Sequence, residues 1–70
     1  QANHSYILEL KYLSKADYTE EKAAKQWAEA VEQINGYAVA PRVEALRQGT
    51  QMHKIIMQFC GWELMMMEEI

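Results

Sequence analysis

The spacing of apolar residues changes several times along the chain, and each change marks a new element. From Ser5 to Leu13 it is two-fold: Tyr6, Leu8, Leu10 and Tyr12 share one face, and Ile7, Glu9, Lys11 and Leu13 share the other. This predicts a strand over 5–13, with the first face as core. The second face is apolar at its ends and charged in its middle, as in a sheet lining a cleft. Ser14 to Tyr18 reads as a connection, with Asp17 or Thr19 capping the helix that follows and Glu20 and Glu21 near its positive end. Ala23, Ala24, Trp27, Ala30, Val31 and Ile34 recur at three-and-four spacing. They predict a helix over 19–35 with a narrow apolar stripe, anchored by Trp27 and stopped at Asn35-Gly36.

Pro41 suits the first turn of a second, short helix over 41–48. Met52 to Cys60 is almost continuously apolar, the pattern of a central strand covered on both faces, and predicts strand 52–60. Gly61-Trp62 suits a tight hairpin turn leading to a strand over 63–69, while a single strand bent by a bulge at Gly61 fits the same residues. A strand, a helical crossover and a second strand form a βαβ unit with parallel neighbours. The expected class is therefore α/β: a β-α-(short α)-β-β arrangement with a parallel strand pair joined by a helical crossover.

Composition narrows the function. Seventy residues allow one small domain, in which a single cysteine, Cys60, excludes an internal disulfide. A lone cysteine in an apolar stretch fits a reducing compartment, so a cytoplasmic location is expected. No apolar run reaches the roughly 18 to 20 residues that span a bilayer, and no membrane partner is expected. The net charge of −3 gives no long-range attraction to nucleic acid, so any such contact must be local. An opening that runs almost directly into a strand and an end just after an apolar run lead us to expect a piece of a larger domain.

Chemistry concentrates at Glu9 and Lys11. Two residues apart on a strand, they project from one face. Their charges interrupt an otherwise apolar segment, where an unpartnered charge would be costly. A metal-dependent phosphodiesterase needs carboxylates for a hard cation and an ammonium group to stabilise developing negative charge. Glu9 fits the first role and Lys11 the second, although Glu-x-Lys by itself is a common pattern on solvated strands. Gln33 and Tyr37, four apart at the end of the predicted helix, would share a face if helical geometry persists through Gly36. Taken alone, they read as a solvated residue and a cap. His4 and His53 are far apart in sequence and lack further ligands at zinc spacing, so a surface or capping role is expected. Trp27 and Trp62 read as core anchors, and the methionines as fillers of an irregular core or a self-association surface.

Together, Tyr6-Ile-Leu-Glu-Leu-Lys11, the helix ending in Gln33-Ile-Asn-Gly-Tyr37, and Lys54-Ile-Ile-Met-Gln-Phe-Cys60 resemble the PD-(D/E)xK nuclease superfamily. Within it, the chain more closely resembles the carboxy-terminal nuclease-like domains that many Bacteroidetes proteins carry behind an AAA-ATPase-like domain. The resemblance implies a restriction-endonuclease-like fold. It also implies Glu9 as metal ligand, Lys11 as catalytic lysine, and Gln33 with Tyr37 as the Gln-x-x-x-Tyr helix motif. Mg²⁺ or Mn²⁺ would be the cofactor, and nucleic acid the partner, of an intact parent. The family's Asp on a preceding strand has no counterpart, because Gln1 to Leu8 contains no acidic residue. The chain alone is therefore expected to be inactive. The alternative is a non-catalytic interaction or oligomerisation module, forming a homodimer through exposed sheet edges.

Overall fold

The computed structural model describes residues 3–70. Strand β1 (His4–Leu13) leads to helix α1 (Glu20–Ala38), short helix α2 (Pro41–Arg47), strand β2 (Gln51–Cys60) and strand β3 (Glu63–Glu69). The three strands form one mixed sheet in the order β1-β2-β3, with β1 parallel to β2 and β2 antiparallel to β3. The expected α/β class, with a parallel pair joined by a helical crossover, is the fold observed.

Helix α1 starts where its side chains can satisfy it. The Thr19 hydroxyl accepts from the Lys22 backbone N–H at 3.0 Å, and Glu20 and Glu21 occupy the first turn. Its end lies beyond the predicted stop: α1 passes through Asn35 and Gly36 and closes at Ala38. Asn and Gly permit a left-handed cap but do not impose one. Pro41 is the stronger signal, and the residue before it, Ala40, is extended at φ −65° and ψ 136°. Helix α2 ends on a left-handed Gln48, followed by Gly49 at φ 78°.

Ala30, Ile34 and Ile56 form the fully buried centre, with Ile7, Trp27 and Val31 packed around it. Alanine at positions 23 and 30 lets α1 approach the sheet closely, and both are buried while Ala24 is exposed. Trp27 therefore flanks the core rather than anchoring it.

The register settles which side chains share a face. Ile7 pairs with Lys54, Glu9 with Ile56 and Lys11 with Gln58, so these six lie on the side that α1 covers. Tyr6, Leu8, Leu10 and Tyr12 point the other way. The predicted core face of β1 is thus uncovered, its four side chains remaining 47 to 61% exposed. A single crossover helix can seat on only one side of the sheet, and the side it takes is the one carrying Ile56. For the same reason β2 is central but is covered by helix on one face only.

β2 and β3 form a hairpin rather than one bent strand. Cys60 pairs with Glu63, and Gly61 has φ 60° while Trp62 has no positive φ, the combination a type II′ turn uses. The irregularity falls instead within β3: Gln58 pairs with Met66 and Phe59 with Leu64, leaving Met65 as the extra residue of a bulge. Trp62, at the turn, is 99% exposed and is not a core anchor. A hairpin tip lies beyond the reach of α1.

Ile56→Ala should lower stability by about 2 to 5 kcal/mol, since it hollows out a fully buried position of the sheet that packs against α1. Trp62→Ala should change it by less than about 0.5 kcal/mol. Urea unfolding followed by far-UV circular dichroism checks both.

Candidate functional site

Glu9 and Lys11 project from β1 into the seam beneath the flank of α1. Lys11 Nζ lies 3.3 Å from Glu9 Oε2, and the two side chains are only 22% and 15% exposed respectively. A pair shielded to this degree is screened less than a surface ion pair, yet each charge still needs its partner. Lys11 Nζ also donates to Gln33 Oε1 at 2.7 Å. Three residues from two elements thus meet at one ammonium group. An ammonium has three N–H donors, and Gln33 takes one of them, which leaves capacity for a further acceptor.

Gln33 reaches Lys11 because α1 continues past it without a break and its neighbour Ile34 is clamped into the core. One residue on, Asn35 leaves the helix in a different direction and its Oδ1 accepts from Lys54 Nζ at 2.7 Å. The end of α1 is therefore tied to β1 by one lysine and to β2 by another. Tyr37 lies one turn beyond Gln33 and is half exposed. No hydrogen bond links it to Glu9, Lys11 or Gln33 among the described residues.

A second polar group was not visible in the sequence. Gln58, 2% exposed, sits beside Lys11 in the register and donates from Nε2 to the Ala23 carbonyl and to Gln26 Oε1, both at 2.9 Å. Gln26 in turn donates to the Tyr12 carbonyl at 3.0 Å. Among the described residues no buried side-chain polar atom lacks a partner. The available signal was a lone amide in the apolar run 52–60, which requires partners wherever it is buried.

His4 and His53, 49 positions apart in sequence, come together because β1 and β2 run parallel. His4 Nδ1 lies 2.8 Å from His53 Nε2, and His53 Nδ1 lies 2.6 Å from Glu69 Oε2. The His53 ring stacks on Tyr6 at 4.8 Å. This cluster occupies one corner of the uncovered face, away from Glu9.

The donor set does not by itself make a metal centre. Glu9 supplies one carboxylate, already facing Lys11, and among the described residues no group of three or more His, Cys, Asp or Glu side chains converges to hold an ion. No helix among those residues is long and apolar enough to cross a membrane.

A family model described as the PD-(D/E)XK nuclease superfamily matches residues 1–69. No curated protein and no solved structure matches the chain.

The shielded pair should show its coupling in a double-mutant cycle. Lys11→Met leaves Glu9 facing α1 without a counter-charge and should cost about 1 to 2 kcal/mol. Adding Glu9→Leu should recover part of that loss, a coupling on the order of 1 kcal/mol in urea unfolding. Strict additivity of the two substitutions would show that the pair contributes nothing.

Proposed function

This chain belongs to the PD-(D/E)XK nuclease superfamily, and on that premise we propose that it carries the Glu-x-Lys half of a phosphodiester-hydrolysing site. The observation that carries this reading is the convergence of Glu9, Lys11 and Gln33 in one part-shielded seam under α1. Hydrolysis of a phosphodiester places negative charge on the non-bridging oxygens as water attacks. A positioned ammonium group stabilises that charge best where water is partly excluded.

In this reading Lys11 is the catalytic lysine. Gln33 takes one of its N–H donors and Glu9 faces it as a counter-charge, so the group is held in place with a further N–H to offer to a phosphate oxygen. Gln33 is a positioning residue, acting through Lys11. Tyr37, exposed at the end of the same helix, is proposed to contact the nucleic-acid backbone at the mouth of the seam. With a net charge of −3, the chain would hold nucleic acid by such local contacts rather than by a broad basic surface.

Glu9 is proposed as one ligand of a Mg²⁺ or Mn²⁺ ion in an intact parent protein. A hydrated Mg²⁺ is commonly held by one or two carboxylates together with substrate phosphate. Since the described residues do not complete a metal centre, a second carboxylate from elsewhere in the parent is part of the proposal. The 70-residue chain by itself is accordingly proposed to be inactive.

The test is made on the intact parent with a labelled nucleic-acid substrate. Lys11→Ala should lower the cleavage rate by about 100-fold or more. Glu9→Ala should do the same and also weaken Mn²⁺ binding in a calorimetric titration. Gln33→Ala should cause a smaller loss of kcat with little change in Mn²⁺ affinity. Undiminished cleavage and Mn²⁺ affinity in Glu9→Ala would overturn the assignment.

A further inference from the structure

His4 of β1, His53 of β2 and Glu69 of β3 lie at one end of the sheet and take no part in the seam of Glu9, Lys11 and Gln33. His4 Nδ1 faces His53 Nε2 at 2.8 Å, and the other ring nitrogen of His53, Nδ1, faces Glu69 Oε2 at 2.6 Å. An ionised carboxylate can only accept, so His53 Nδ1 carries a hydrogen and donates it. Nε2 is then the nitrogen with which His53 meets His4, and one hydrogen lies between the two rings.

We propose that His4 Nδ1 and His53 Nε2 are two ligands of a divalent transition-metal ion such as Zn²⁺, with Glu69 orienting His53 from behind. The ion takes the place of the hydrogen between the rings. Two zinc–nitrogen bonds of about 2.0 to 2.1 Å at a tetrahedral angle set their nitrogens roughly 3.3 Å apart. The pair therefore has to part by only about 0.5 Å, and His4, which is exposed, is free to move that far. A carboxylate on the outer nitrogen of a ligating histidine fixes its tautomer and raises its basicity. Glu69 already holds that place. Imidazole suits zinc, copper or nickel rather than magnesium or calcium, so this site differs in kind from the lone carboxylate of Glu9.

The site is built on paired strands. Tyr6 stands directly opposite His53 in the register, and its ring stacks on the imidazole at 4.8 Å with 19° between the planes. His4 lies two residues before Tyr6 on the same face. Backbone bonds close this end of the sheet: the Gln51 N–H donates to the Asn3 carbonyl at 3.0 Å, and the Ile70 N–H to the Lys54 carbonyl at 2.8 Å. The His53 side chain is only 15% exposed and Glu69 55%. The shielded imidazole is thus the one with an outer carboxylate, while His4 approaches from the solvent side. None of this depends on what lies over the sheet in a larger protein, because the three side chains are held by one another and by strand register. Two protein nitrogens leave two tetrahedral positions for water or a further ligand.

This inference is independent of the nuclease reading, since no residue of that seam is used. Calorimetric titration of the full, untagged 70-residue chain with Zn²⁺ should give one ion per chain, with the same isotherm in excess Mg²⁺. The imidazole signals of His4 and His53 should shift together in nitrogen-resolved NMR spectra. His4→Ala and His53→Ala should each weaken binding by about 10-fold or more, and Glu69→Ala by about 10-fold, with far-UV circular dichroism retained. Cys60→Ser should leave the affinity unchanged. If His53→Ala fails to fold, His4→Ala decides alone, since its side chain is exposed at a strand end. Absence of saturable binding overturns the proposal and leaves the rings sharing a hydrogen only. Unchanged affinity in His4→Ala, displacement by Mg²⁺, loss in Cys60→Ser or one ion per two chains overturns it equally.

Discussion

Ala30 and Ile34 of α1 rest on Ile56 of β2, and that contact decides where every other side chain can go. It fixes the side of the sheet on which the crossover helix lies and brings β1 and β2 together as parallel neighbours. Small side chains at positions 23 and 30 let the helix sit close to the strands. With the helix seated there, the polar residues along its flanks meet the polar residues of the covered face: Gln33 with Lys11, Asn35 with Lys54, and Gln26 with Gln58. The apolar centre thus acts as a pivot around which amide and ammonium groups find partners.

The sheet has consequently exchanged the roles expected of its two faces. The half-charged face of β1 is covered because it shares its side with Ile56, and the fully apolar face is open because nothing in residues 3–70 reaches it. Burying Glu9 and Lys11 partly in this way is sustainable only because each has a partner, the carboxylate taking the ammonium and the ammonium also taking the Gln33 amide. Structure and chemistry therefore draw on the same hydrogen bonds. A seam that is well satisfied internally still leaves N–H capacity on Lys11 for an outside acceptor.

The elements were largely legible in the sequence because they depend on local periodicity. The alternation of 5–13 and the stripe from Ala23 to Ile34 each state their geometry within a few residues, whereas Gly61-Trp62 fitted a hairpin turn and a bulged strand equally. The meeting of Glu9, Lys11 and Gln33 was legible as well, since two-residue spacing on a strand and a position near a helix end restrict where side chains can point. What was not legible depends on partners distant in sequence. Two-fold alternation shows that β1 has two faces but not which one the helix takes, so Tyr6 to Tyr12 read as core. Asn35-Gly36 offered a stop that the packing of Ile34 and the later Pro41 overrode. Trp62 looked like core by composition, and only the tertiary position of the hairpin tip shows that it has nothing to pack against. The approach of His4 to His53 is a product of strand register alone.

Gln58 has a further consequence for the seam. Its amide grips the Ala23 carbonyl and Gln26 near the start of α1, in a region with almost no access to water. Were the helix to slip along the sheet by one turn, about 5.4 Å, that amide would lose both acceptors with no solvent to replace them. The cost of such an orphaned group, on the order of 1 to 3 kcal/mol, makes Gln58 a caliper: gripping one end of the helix, it sets how far the other end extends and so keeps the Gln33 carbonyl within reach of Lys11.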